Sequence, residues 1–126
     1  MATDVKLSTI GQIALTVTNI ERAVTFYRDK LGMTLMFQAP PKLAFFVNGP
    51  VRLMLSEPES EGFKADNSVI YYKVDDIEGS TATLKARGVK ITSEPHLIAR
   101  LPDHELWMAF FEDPDGNSLA MMEEKR

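Results

Sequence analysis

The chain has 126 residues, 44% hydrophobic and 25% charged, with a net charge of −4. That length suits one domain able to bury a core, and the acidic balance argues against nucleic-acid binding, which normally needs a basic face. The absence of cysteine excludes disulfides, thiolate metal sites and cysteine nucleophiles.

Met1-Ala2-Thr3-Asp4-Val5-Lys6 lacks the apolar core of a signal peptide, and no run approaches transmembrane length. A cytoplasmic protein with neither a membrane nor a nucleic-acid partner is expected. The run 10–17 is apolar and β-branched and reads as a strand. Thr18 and Glu21 form a Thr-x-x-Glu capping box for a helix over about residues 19–31. Ile20, Ala23, Val24, Tyr27 and Leu31 recur at helical spacing, and Gly32 stands where a left-handed residue ends a helix. Short strands follow at 34–38, 43–47 and 51–56; Pro40-Pro41 interrupts the first, and Asn48-Gly49 signals a hairpin. Residues 57–67 are polar and read as a connection.

A strand over 69–74 then leads into a second helix, capped by Asp75 or Asp76 and ended by Gly88. Val89 to Thr92 reads as a short strand, and 93–105 as a less regular stretch holding both histidines. Leu106 to Glu112 is a strong strand, Asp113-Pro114-Asp115-Gly116 a turn, Asn117 to Met122 the last strand, and 123–126 a charged tail. The order is βαβββ, twice. Val17-Thr18-Asn19-Ile20-Glu21 returns as Val74-Asp75-Asp76-Ile77-Glu78, 57 residues later. One supersecondary unit is therefore used twice.

Phe26-Tyr27 with Leu31-Gly32, Val74-Asp75-Asp76-Ile77, and Phe110 through Asn117 with its Asp-Pro-Asp-Gly turn carry a resemblance to a known family. The chain resembles the vicinal oxygen chelate superfamily over about residues 9–124. That superfamily includes glyoxalase I, extradiol dioxygenases, methylmalonyl-CoA epimerase, and fosfomycin- and bleomycin-resistance proteins. The resemblance implies an α+β fold: one glyoxalase-like domain, 1–126, made of modules 9–57 and 67–124 that form a curved mixed sheet around a cleft. In metal-dependent members four strand positions hold a divalent ion that stabilises an oxyanion or enediolate. Those positions fall on Gln12, Met54, Val69 and Ala120. Valine and alanine have no donor atom and a thioether suits soft copper(I), so no metal and no cofactor are expected.

Strand side chains alternate faces. If Gln12 faces the cleft, so do Arg52, Met54, Val69, Tyr71, Lys73, Ala120 and Met122, while Ile13, Leu15 and Val17 face a helix. Either Trp107, Ala109 and Phe111 or Met108 and Phe110 line the inner face of the seventh strand; Trp107 is included as a candidate. Apolar walls with a few polar groups suit a small, partly apolar or anionic ligand. The competing reading of Arg52 and Lys73 is a solvated rim. That of His96 and His104 is a pair of surface loop histidines, although their segment could form a lid.

The expectation is metal-independent small-molecule binding, as in bleomycin-resistance proteins, with a homodimer implied by the resemblance. No catalytic residue is assigned. The alternative is a glyoxalase-like lyase or isomerase, or a dioxygenase-related enzyme, acting on a small metabolite through Tyr71, His96, His104 or Glu57.

Overall fold

The structure, a computed structural model, describes residues 8–39, 41–58 and 67–126. The expected break at Pro40, residues 59–66 of the expected connection, and the amino-terminal segment 1–7 lie outside them. The first half contributes β1 (Gln12–Thr16), α1 (Ile20–Thr25) continued by a π-helical turn at Phe26–Lys30, β2 (Thr34–Ala39), β3 (Leu43–Asn48) and β4 (Val51–Ser56). The second contributes β5 (Ile70–Lys73), α2 (Ile77–Ala86), β6 (Lys90–Arg100), β7 (Glu105–Glu112) and β8 (Ser118–Lys125). Two mixed four-stranded sheets result, ordered β1-β4-β3-β2 and β5-β8-β7-β6. Within each, the first and last strands of the unit run parallel and the rest antiparallel. The class is α+β, as the repeat implies.

One face of each sheet is buried. Leu15, Val17, Ala44, Phe46, Leu53 and Leu55 of the first sheet pack with Ile20, Ala23, Val24, Phe26 and Tyr27. Ala109, Phe111, Leu119 and Met121 of the second join Ile77 and Leu84 in the same core. The period of two thus sorts apolar side chains onto the helix side and leaves the opposite face open.

Four local readings are corrected. Asn19, one residue beyond Thr18, caps α1: its side chain accepts the Arg22 N–H at 3.0 Å, while Thr18 is drawn to Asp115. The hairpin turns on Gly49-Pro50, because Asn48 already pairs with Val51. The stretch 93–105 is mostly strand: β6 runs eleven residues through Pro95, with register shifts against β7. It is an edge strand, so proline's missing N–H need not cost a ladder bond. The charged tail also pairs, since Glu123, Glu124 and Lys125 face Trp107, Leu106 and Glu105 across β7.

The Asp-Pro-Asp-Gly turn joins the halves. Tyr27, fully buried, donates its hydroxyl to Asp113 Oδ2 at 2.8 Å. The Asp113 carboxylate also accepts the N–H of Asp115 at 2.9 Å, the N–H of Asn117 at 2.8 Å and the Asn117 side-chain amide at 2.8 Å. Gly116 closes the turn with φ of 80°, a left-handed value that suits glycine. Asp115 reaches back to the Thr18 N–H and the Arg22 guanidinium, at 3.0 and 3.1 Å. Asn67 ties the carbonyl of Thr16 to the side chain of Asn117, at 3.0 and 2.8 Å.

Tyr72 behaves differently. Its hydroxyl is buried with no hydrogen-bond partner among the described residues. Burial pushes its pKa up to about 12, and burial together with the Asp113 charge pushes Tyr27 higher still. Both phenols keep their protons longer in the folded than in the unfolded chain. Their contribution is therefore complete below about pH 10 and is lost as pH rises through 12 and beyond. We expect Tyr72→Phe to leave stability unchanged or raise it by up to about 1 kcal/mol, since it removes an unpaired polar atom. It should also make the alkaline decline shallower. Thermal unfolding at neutral and alkaline pH checks both; a clear loss at neutral pH would mean that the hydroxyl has a partner.

Candidate functional site

The open face of the first sheet gathers Gln12, Arg52 and Met54 as the alternation requires. Gln12 pairs with Arg52 across β1 and β4, and its Oε1 accepts the Arg52 Nε–H at 2.8 Å. Its amide nitrogen approaches Met54 Sδ at 3.7 Å. The Arg52 guanidinium lies 5.4 Å over the Phe45 ring, which stacks on Phe37 at 4.6 Å. Arg52 has no carboxylate within 4.0 Å among the described residues, so a fixed cation borders an aromatic pair.

On the second sheet the open face carries Val69, Tyr71, Lys73 and Met122, with Met108, Phe110 and His96 beside them. Tyr71 and Phe110 both flank Ala120, and their rings meet edge-on at 6.0 Å. Ala120 itself is fully buried, so it supports the aromatic pair without being exposed. His96 stacks on Phe110 at 6.5 Å, and its Nδ1 donates to the Glu94 carbonyl at 2.8 Å.

Lys73 pairs with Glu124 at 3.1 Å, and this contact holds the Glu124 carboxyl below the usual carboxylate range. His104 lies at the same end, 2.8 Å from Asp103 and 3.8 Å from Glu124. His104 and Arg126 hold Asp103 low in turn. The expected lid is therefore an edge strand carrying His96, followed by a short charged corner carrying His104.

Trp107 is corrected. It pairs with Leu97 and Glu123 on the helix side, with Ala109 and Phe111, and packs against the core. Its Nε1–H donates to Glu105 at 3.1 Å, and the Lys125 ammonium sits 4.5 Å over its ring. Met108 and Phe110, the alternative face of the seventh strand, take the open side, and Phe37 and Phe45 join the site without having been expected there. Parity from Val47 would have found Phe45, and pairing with Ala120 would have chosen Phe110 over Trp107. The two open-face sets are not joined to each other by any hydrogen bond or aromatic pair among the described residues.

Glu57 is occupied: its carboxylate accepts the Ile20 N–H at the start of α1, at 2.8 Å. Glu123 does the same for Ile77 at the start of α2, also at 2.8 Å, so the repeat extends to its carboxylate caps. Asp76, Glu78 and Glu123 lie close together there, but each has a partner: the Gly79 N–H, Lys125 and the Ile77 N–H. No helix among the described residues is long and apolar enough to cross a membrane.

Residues 9–121 match the Glyoxalase/Bleomycin resistance protein/Dioxygenase superfamily. The Bacillus subtilis (strain 168) protein YraH is 29% identical, over 87% of this chain and 94% of its own length. The fold is similar to lactoylglutathione lyase from Agrobacterium tumefaciens, with a TM-score of 0.73, 23% identity, and coverage of 92% of this chain and 93% of that one. It is also similar to TnmS3, an antibiotic binding protein from Streptomyces sp. CB03234, with a TM-score of 0.77, 21% identity, and coverage of 97% and 100%.

Proposed function

The chain belongs to the glyoxalase/bleomycin resistance protein/dioxygenase superfamily, and from that premise we propose that it is a metal-independent protein that binds a small, partly aromatic, anionic molecule. The observation that carries this reading is the chemistry of Gln12, Met54, Val69 and Ala120, the positions onto which the family resemblance carries the ion-holding residues of metal-dependent members. Val69 and Ala120 supply no donor atom, Met54 supplies only a thioether, and the amide of Gln12 is occupied by Arg52 and Met54. This set does not fit a divalent ion. In its place stand the stacked pair Phe37 and Phe45 under Arg52, and the group Tyr71, Phe110 and His96. Flat apolar surfaces with a few fixed polar groups are what a small planar ligand requires. The likeness to an antibiotic binding protein agrees with sequestration.

The protein works, in this reading, as a cytoplasmic homodimer without a cofactor. Phe37, Val47, Val69 and Tyr71 expose between 39% and 48% of their surface, which supports the approach of a second copy towards the open faces. A second reading, proton transfer in a lyase or isomerase, is favoured by the His96 imidazole stacked on Phe110, which also meets Tyr71.

Native mass spectrometry of protein purified without chelator tests the proposal. A dimer carrying an organic mass and no metal is the expected result. One divalent ion per chain would overturn it and make a metal-dependent enzyme the leading reading.

A further inference from the structure

A second concave site lies on the reverse side of the second sheet. β5 alternates faces, so Tyr71 is on the open side, while Tyr72 and Val74 turn towards α2. There, between α2 and the end of the first unit's helix, is a groove of about 530 Å³. Leu31, Met33, Phe111 and Met121 provide apolar walls from both halves of the chain. Ser80, Thr83 and Arg87 line it along one flank of α2.

The sequence explains why the groove stays open. Ile77, Thr81 and Leu84 carry the helix's core contacts, whereas the adjoining flank has Gly79, Ser80 and Thr83, which are too short to fill the space. Gly79 has its own reason to be glycine, because a Cβ there would meet the Asp76 carboxylate at 2.4 Å in the ideal position, against the group that caps the helix.

Charge is unevenly spread along this groove. Arg87 stands at the carboxyl end of α2, where its Nη1–H donates to the Lys30 carbonyl at 2.8 Å, which fixes the guanidinium. The Lys30 ammonium comes within 3.6 Å of where a Cβ on Gly88 would be. Neither cation has a carboxylate within 4.0 Å among the described residues. Asp76 lies at the opposite end of the helix, so an anion is favoured at one end of the groove only.

We propose that this groove is a second binding site, for a small apolar carboxylate whose hydrocarbon part lies between Leu31, Met33 and Phe111 and whose carboxylate meets Arg87. The volume suits a ligand of this class. The guanidinium offers a paired donor geometry matched to a carboxylate. The site does not depend on what the open faces bind, since its lining residues have the opposite strand parity. Occupation would bridge the two halves of the chain.

The test is a titration of the full ¹⁵N-labelled chain with hexanoate, with hexanol as the neutral control. Saturable shifts are expected at the amides of Met33, Ser80, Thr83 and Arg87. Arg87→Gln should weaken hexanoate about tenfold and leave hexanol nearly unchanged. Thr83→Trp, which fills the groove, should weaken both by about tenfold or more, and Tyr71→Ala should change neither. Shifts confined to Tyr71, His96 and Phe110 would overturn the proposal, as would equal losses of hexanoate and hexanol in Arg87→Gln. So would the absence of saturable shifts up to about 10 mM hexanoate, roughly the weakest binding worth calling a site. Failure of the open-face reading would show up separately, in the mass measurement.

Discussion

Replacing Asp113 with alanine is expected to destabilise the fold by about 3 kcal/mol, a large share of the stability of a chain this size. Asp113 is 5% exposed and its carboxylate accepts from Tyr27, Asp115 and Asn117 at 2.8 to 2.9 Å. Alanine would leave these donors facing one another without an acceptor, and the cost of unpaired buried donors exceeds the gain of a typical single bond. The turn would lose its backbone anchor as well, because Asp113 is what holds the N–H groups of Asp115 and Asn117 in place. Tyr27→Phe should cost less, about 1 kcal/mol, since Asp113 keeps its other donors. The double variant should fall short of the sum by about 1 kcal/mol, because the two groups share one bond. Urea unfolding of the three variants measures this. A loss below about 1 kcal/mol for Asp113→Ala would mean that the joint between the halves is held by apolar packing alone.

This joint was only half legible in the sequence. The Asp-Pro-Asp-Gly turn could be read, because proline and glycine punctuate the backbone locally. Its partner could not, because Tyr27 and Asp113 are 86 residues apart and meet only where the turn after α1 reaches the second half. The same distinction runs through the fold. β1 and β4 were legible because one face of each is apolar and the period of two sorts Gln12 and Arg52 away from Leu15 and Leu53. β7 was legible as a strand but its facing was not, because Leu106, Met108 and Phe110 are as apolar as Trp107, Ala109 and Phe111, so periodicity carries no information about it. Trp107 was misassigned for that reason. The start of β6 was legible, but its continuation past Thr92 was hidden by Pro95 and by register shifts at three places, both of which an edge strand tolerates.

The candidate site followed the same rule with one further limit. Alternation identified which side chains share a face, but not which of them already have partners. Arg52 and Lys73 were equivalent as letters, each a cation on an open face. Lys73 turns out to be matched by Glu124, a residue assigned to the tail, and Arg52 by a neutral amide. The order of partners along β8 decides this, and it appears only once the last strand is seen to continue through Lys125.

From that difference comes the expected result for ligand binding. Arg52→Ala should weaken an aromatic sulfonate such as 1-anilinonaphthalene-8-sulfonate by about tenfold or more, the loss of one charge-assisted contact. Lys73→Ala should change affinity by less than about twofold, because its ammonium is already neutralised by Glu124 at 3.1 Å. Gln12→Ala should lie between them: it leaves the charge of Arg52 in place but removes the 2.8 Å bond that aims it, so part of the binding energy goes into ordering the side chain. Arg52 and Lys73 are exposed, and each single replacement should alter stability by no more than about 0.5 kcal/mol, which separates a binding defect from a folding one. Dye fluorescence titrations at two salt concentrations measure the effect, and the affinity of the unaltered chain should fall with salt while that of Arg52→Ala should fall less. Equal losses in Arg52→Ala and Lys73→Ala would indicate a diffuse field, with no defined anion contact. Unchanged affinity in both would remove the anionic group from the proposed ligand and leave the aromatic pairs as the only recognition elements on the open faces.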